Sequence, residues 1–167
     1  ETPAVPGTDD QIDVNYNVEE QLSGSLNFNV GYAGGSGMIL GASISQNNFM
    51  GTGNRMSLGM QKNNTVQSYN FSYMNPYYTI DGVSRGFNLF YRETDYSSLN
   101  TVSDYQTNTL GGNVTYGYPI SSRQRLSFSV GYQNTEMFEG TTVPAEIIDF
   151  LDNEGDKFDE YTLGLNW

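Results

Sequence analysis

Gly24-Ser25-Leu26-Asn27-Phe28-Asn29-Val30-Gly31-Tyr32 puts Leu26, Phe28, Val30 and Tyr32 on one side of an extended chain and Ser25, Asn27, Asn29 and Gly31 on the other. A period of two is the signature of a β-strand with one apolar and one wet face. The run stops at Ala33-Gly34-Gly35-Ser36-Gly37, a turn of minimal steric cost. The same grammar recurs downstream. Leu40, Ala42 and Ile44 oppose Gly41, Ser43 and Ser45; Met56, Leu58 and Met60 oppose Ser57, Gly59 and Gln61, with a turn at Asn63 and Asn64, residues that tolerate positive φ. Tyr69, Phe71 and Tyr73 oppose Ser68, Asn70 and Ser72 up to Asn75-Pro76. Phe87, Leu89 and Tyr91 oppose Gly86, Asn88 and Arg92, with Phe90 as the exception. After a polar stretch, Thr94 to Asp104, a sixth run carries Leu110, Gly112, Val114, Tyr116 and Tyr118 and closes at Pro119. Leu126, Phe128, Val130 and Tyr132 form the seventh, and Tyr161, Leu163, Leu165 and Trp167 the last. One earlier alternation, Ile12, Val14, Tyr16 and Val18 within Gln11 to Glu20, precedes these eight.

Composition limits what such a chain can be. Its 167 residues fit one domain, and 14% aromatic with 16% charged residues gives enough apolar surface to fold. With 19 acidic against 7 basic side chains the net charge is -12, which opposes phosphate backbones and argues against nucleic acid as a partner. No apolar run is long enough for a membrane helix. Zero cysteines exclude disulfides, and zero histidines remove the commonest metal ligand and general base. The first residues, Glu1 to Asp10, lack the charged-then-apolar start of a signal peptide, so a mature or excised segment is expected.

A sandwich and a membrane barrel both alternate. A sandwich needs its apolar face covered by a second sheet and favours Val, Ile and Leu; here aromatic residues cluster near strand ends and the other face is Ser, Asn, Thr, Gln and Gly. Connections also alternate in length, with the acidic stretch Glu136 to Asp156 at one end and only Pro119 to Arg123 at the other. The pattern favours an all-β, antiparallel transmembrane barrel over a sandwich. Within the acidic stretch, Pro144 to Leu151 predicts a short surface helix, with Pro144 in its first turn and Glu146 at its positive end.

Two joining segments are more specific: Asn47-Asn48-Phe49-Met50-Gly51-Thr52-Gly53 and Asn75-Pro76-Tyr77-Tyr78-Thr79-Ile80-Asp81-Gly82-Val83-Ser84. Taken with Val5-Pro6-Gly7, the run Gln11 to Glu20 and Gly24-Ser25-Leu26-Asn27-Phe28, they resemble the barrel start of the bacterial surface antigen family, to which the central subunit of the outer-membrane-protein assembly machine belongs. The resemblance runs to Trp167 and is strongest up to about Tyr91. It implies that residues 1–22 are the end of the last POTRA domain and its linker, with Ile12 to Glu20 the final POTRA strand. Residues 23–167 would be the first eight of sixteen barrel strands. Upstream POTRA domains, the Val-Arg-Gly-Phe plug loop and the closing strands are missing, so the chain reads as a piece of a longer protein. The resemblance further implies a bacterial outer-membrane location and a role in folding and inserting outer-membrane proteins. Its partners would be outer-membrane lipids, unfolded clients and accessory lipoproteins.

By the same resemblance, Ser25, Leu26, Asn27, Phe28, Asn29, Val30, Gly31 and Tyr32 form a gate strand whose edge templates a client strand by β-augmentation. The plainer reading is an ordinary barrel strand whose glycines make room for neighbours. Leu58, Phe71, Leu89, Val114, Phe128, Leu163 and Leu165 are expected to face the membrane, and Tyr73, Tyr91, Tyr118, Tyr132 and Trp167 to sit at its interfaces. A half-sheet leaves two unpaired edges, to be covered by the rest of the barrel, by closure of eight strands on themselves, or by another copy. Catalysis is not expected, since a serine nucleophile would lack a histidine base, and neither is a metal or other cofactor. Asp149, Asp152, Glu154 and Asp156 miss the spacing of a calcium loop and read as a solvated acidic loop. Arg85, Arg92, Arg123 and Arg125 read as lipid-headgroup contacts, lumen partners for carboxylates, or isolated charge. The rival from another class is a self-contained eight-stranded barrel with a structural or surface-binding role; a secreted sandwich comes third.

Overall fold

The computed structural model describes residues 12, 14–19, 22–97, 104–140 and 143–167. Its strands are β1 (Gly24–Ala33), β2 (Gly37–Gln46), β3 (Arg55–Lys62), β4 (Val66–Asn75), β5 (Ser84–Asp95), β6 (Tyr105–Ser121), β7 (Gln124–Glu139) and β8 (Lys157–Asn166). Among the described residues one α-helix, α1 (Ala145–Glu154), lies between the last two strands, and a single 3-10 turn, Phe49–Gly51, joins β2 to β3. The strands form a single antiparallel sheet in chain order, β1 to β8, and β1 and β8 are not bonded to each other. Closure of eight strands upon themselves is therefore not the arrangement observed.

Register converts the period of two into two faces. One row runs Leu26, Ile44, Leu58, Phe71, Leu89, Gly112, Tyr132, Tyr161; the row one residue along runs Ser25, Ser45, Ser57, Ser72, Asn88, Asn113, Gly131, Thr162. Cross-strand partners point the same way, so in the middle of the sheet apolar rows alternate with rows of small polar residues. No second layer covers the apolar face among the described residues, where Leu151 of α1 is the one buried hydrophobic side chain. Leu163 stays 75% exposed and Leu58 50%, in contrast to the buried face a sandwich requires.

The strands are tilted relative to the apolar band. On β1 the band centres on Asn29, whose register row ends at Phe158, whereas on β8 the band centres on Gly164. That slip is about 20 Å of strand over about 34 Å of sheet width, a tilt of roughly 30°. Membrane barrels tilt by about 35–45°.

Several local expectations are corrected. Ile12 forms an isolated β-bridge, and Val14, Tyr16 and Val18 lie in residues 14–19, which carry no strand; Gln11, Asp13 and Glu20 fall outside the described residues. Asn63 and Asn64 do not use positive φ. Instead Asn63 Oδ1 accepts from the N–H of Thr65 at 2.9 Å and of Val66 at 2.6 Å, a side-chain-closed turn. Pro119 does not close β6, which continues to Ser121 through a register shift that relieves the missing proline donor. Connection length does not separate the two ends cleanly: residues 47–54 and 76–83 at the turn end are longer than 34–36 and 63–65 at the loop end. The helix is present, with Pro144 as its N-cap residue rather than in its first turn, and Phe150 stacks on Phe158 at 5.5 Å.

Packing across strands is tight at selected glycines. A Cβ on Gly112 would stand 2.7 Å from Leu89 Cδ2 and 2.9 Å from the Asn88 carbonyl oxygen, whereas one on Gly31 would meet nothing within 4 Å. Gly112→Ala should therefore cost about 1–3 kcal/mol in urea unfolding of the reconstituted natural-length protein. Gly31→Ala should stay within about 0.5 kcal/mol. Equal effects of the two would contradict this packing.

Candidate functional site

The eight expected gate residues all lie in β1, at one end of the sheet. The phase of its hydrogen bonds follows from one bond: the Asn47 N–H donates to the Ser23 carbonyl at 2.7 Å. Antiparallel pairs alternate between bonded and non-bonded. Ser25, Asn27, Asn29 and Gly31 thus exchange their bonds with β2, and Leu26, Phe28, Val30 and Tyr32 turn N–H and C=O to the free edge. At the other end, the Met137 N–H donates to the Asp156 carbonyl at 2.8 Å. The same alternation sends the backbone groups of Asp159, Tyr161, Leu163 and Leu165 away from β7. Both edges thus present backbone from residues whose side chains belong to the outward face, apolar throughout on β1. Left bare in hydrocarbon, each such group costs several kcal/mol.

β1 is lightly held. Its side chains are exposed along nearly the whole strand, with Phe28 at 74%. On the polar face, Ser25 and Ser45 hydroxyls bond at 2.8 Å, and the Asn29 amide lies over Gly41, where any Cβ would collide with it. Glycine at position 31 makes no room for a neighbour. Its effect is to leave the strand with less to pack.

Away from the edge, the inner face is tied by short polar links: Ser57 to Ser72 at 2.7 Å, Asn70 to Asn88 at 2.9 Å and Thr109 to Thr135 at 3.0 Å. Phe90, the exception to the alternation, points to this polar face and lies against Gly111, beside an open pocket of ≈ 500 Å³ that Arg92 also lines. Arg125 reaches across the same face to Ser84 Oγ at 2.7 Å, so it is an inner-face link rather than a headgroup contact.

Leu58, Phe71, Leu89, Val114, Phe128, Leu163 and Leu165 share the outward face. Aromatic residues flank them in two tiers. Tyr91 stacks with Tyr69 at 6.4 Å, and Tyr132 meets Tyr161 at 5.2 Å while its hydroxyl donates to Asp159 at 2.7 Å. Nearer the turn end, Tyr73 stacks with Phe87 at 6.2 Å, and Tyr118 and Trp167 lie exposed. Sequence reading missed Tyr69 and Tyr161 as tier members; their cross-strand positions were the available signal. Beyond the loop-end tier, the outward row becomes polar: Lys62, Gln67, Glu93, Asn108, Glu136, Lys157. On β5 the apolar stretch lies between Arg85 and Glu93, about 26 Å of strand and about 23 Å in height at the sheet's tilt.

No group of three or more metal-ligating side chains comes together among the described residues, and no helix among them is long and apolar enough to cross a membrane. Neither fact bears on strands that cross.

Comparison with known proteins gives one consistent answer. The Omp85 superfamily domain matches residues 48–167. The outer membrane protein assembly factor BamA of Neisseria meningitidis serogroup B is 29% identical over 155 residues, covering 91% of this chain and 19% of its own length. BamA of Buchnera aphidicola subsp. Acyrthosiphon pisum is 30% identical over 127 residues, 76% of this chain and 20% of that protein. The chain thus spans about a fifth of the length of the curated relatives it matches. The crystal structure of BamA from Haemophilus ducreyi lacking POTRA domains 1-3 superposes with a TM-score of 0.73 at 31% identity, over 99% of this chain and 33% of that one.

The bond phase of β1 makes a direct prediction for amide exchange in detergent micelles. Asn27 and Asn29 should be protected like their β2 partners, and Phe28 and Val30 should exchange faster. Uniform protection along β1 would show that a firmly paired strand already occupies the edge.

Proposed function

The chain belongs to the Omp85 superfamily, and from that footing we propose that it is the first half of a BamA-like outer-membrane barrel acting in assembly of outer-membrane proteins through the edge of β1. Residues 23–167 would supply the first eight of sixteen barrel strands, and residues 1–22 the end of the last POTRA domain. The observation that carries this reading is the β1 edge turned away from β2, which no described strand pairs and where Leu26, Phe28, Val30 and Tyr32 combine edge-directed backbone groups with apolar side chains. An unfolded client strand would add to it by β-augmentation, satisfying its own N–H and C=O groups while its apolar residues meet lipid. No nucleotide or metal enters the scheme. The driving force is burial of the client's apolar band and closure of its ladder.

In this reading the outward face contacts outer-membrane lipid, with Tyr73, Tyr91, Tyr118, Tyr132 and Trp167 at its two margins. Clients, the remaining barrel strands and, by family likeness, accessory lipoproteins are the partners.

Two paired tests follow. Val114→Arg, placed mid-band on the outward face, should cost about 2–4 kcal/mol in urea unfolding from vesicles. Asn113→Arg, one residue along on the inner face, should stay within about 0.5 kcal/mol; equal costs would remove the lipid-facing assignment. For the edge, Val30→Pro deletes a donor that points away from β2, so the protein should fold but insert clients roughly tenfold more slowly. Asn29→Pro breaks the β1–β2 ladder and should cost about 3 kcal/mol of stability. Normal client assembly by the folded Val30→Pro protein would defeat the gate.

A further inference from the structure

Charge is divided between the two ends of the sheet. Between residues 22 and 167, Asp81 is the sole acid at the turn end, where Arg55, Arg85, Arg123 and Arg125 gather; the other acids lie toward the loop end. Of the three arginines carried on strands there, Arg55 and Arg125 share the parity of the inner face, and Arg85 alone has outward parity, in register with Asn75 and Tyr116.

Arg85 is built into a holder. Its guanidinium lies 3.9 Å from the ring centre of Tyr78 and 5.0 Å from that of Phe87, and Tyr78 meets Tyr116 edge-on at 6.2 Å. Rings on its flat faces attract the cation and fix its plane, leaving the in-plane N–H edges for an acceptor. None is supplied. Arg85 Nε is buried without a hydrogen-bond partner, and among the described residues the one ion pair is Lys157 with Glu136, at the opposite end of the sheet. Burial closes Nε to any ligand as the side chain stands, so the Nη edge of the guanidinium is the part left to meet the oxygens of a phosphodiester.

We infer that Arg85, held by Tyr78 and Phe87 at the turn-end margin of the outward face, binds the phosphate of a membrane phospholipid whose acyl chains lie along Phe87, Leu89 and Val114. The inference rests on the lipid-facing reading of that face. It adds a specific headgroup site at the edge of the apolar band, and it fixes the depth at which the sheet sits in the leaflet on its turn side.

The test uses the natural-length protein in detergent, titrated separately with dioleoylphosphatidylglycerol and with dioleoylglycerol, which lacks the phosphate; adducts are counted by native mass spectrometry. The phospholipid should bind at roughly tenfold lower concentration than the diacylglycerol. Arg85→Gln should abolish that preference, and Arg123→Gln, at the same end, should keep it. Retained preference in Arg85→Gln, or equal loss in Arg123→Gln, overturns the site in favour of bulk attraction to a basic rim. Should Arg85→Gln fail to fold by heat-modifiability on gels, Tyr78→Leu keeps the charge and removes one ring of the holder. It should lower the preference about threefold, and an unchanged preference there also overturns the site. A spin label at Leu89 separates the two levels of failure. A label relaxed by aqueous nickel rather than by oxygen sinks the lipid-facing reading itself, whereas a label in lipid with adducts indifferent to Arg85 sinks only the phosphate site.

Discussion

The backbone hydrogen-bond ladder governs everything else in this chain. Inside hydrocarbon no water is present to satisfy an N–H or C=O, so a strand may lie there only with both its edges paired. Six of the eight strands meet that condition within the sheet, and β1 and β8 meet it on one side each. An edge too costly to leave bare is also an edge that will accept another strand, and the proposal for β1 builds on that property.

The faces follow from the same constraint. On the proposed reading, a sheet exposed to lipid on one side and to an aqueous interior on the other cannot have a core of the usual kind, and the described residues bury just one hydrophobic side chain, in the helix and not in the sheet. Cohesion comes instead from the ladder, from outward stacks such as Tyr73 with Phe87, and from inner-face links such as Ser57 with Ser72. Cross-strand pairs of these kinds are individually modest, but the neighbours repeat at every row.

What was legible in the sequence was whatever a strand decides locally. Parity is local, so the outward set from Leu58 to Leu165 and the existence of eight strands could be read from alternation alone. What depends on a neighbour could not be read. The alternation of Ile12, Val14, Tyr16 and Val18 looks like any other run, yet Ile12 makes only an isolated bridge and no strand forms over residues 14–19. Asn63 was read for its backbone tolerance, and it acts through its side chain, because the turn it closes is defined by the N–H groups of Thr65 and Val66. The holder around Arg85 joins a turn residue, its own strand and β6, three places that only register brings together. Bond phase on β1 was likewise hidden until the bond from Asn47 to Ser23 fixed it.

That phase limits what the edge can teach a client. The outward residues Leu26, Phe28, Val30 and Tyr32 are the ones that offer hydrogen bonds, so a strand docking antiparallel places its own bonded residues directly opposite them and on the same face. A slip of one residue would turn every apolar side chain of the client toward water and every polar one toward lipid, which the membrane penalises strongly. A slip of two leaves the faces unchanged, and β1 offers little to forbid it: four apolar side chains in succession, all exposed, none forming a specific pocket. On the proposed reading β1 therefore dictates which face of a client meets the bilayer and leaves the position along the strand free. A template of this kind can serve clients of differing sequence, because the property it reads is alternation, which every membrane-crossing strand must possess.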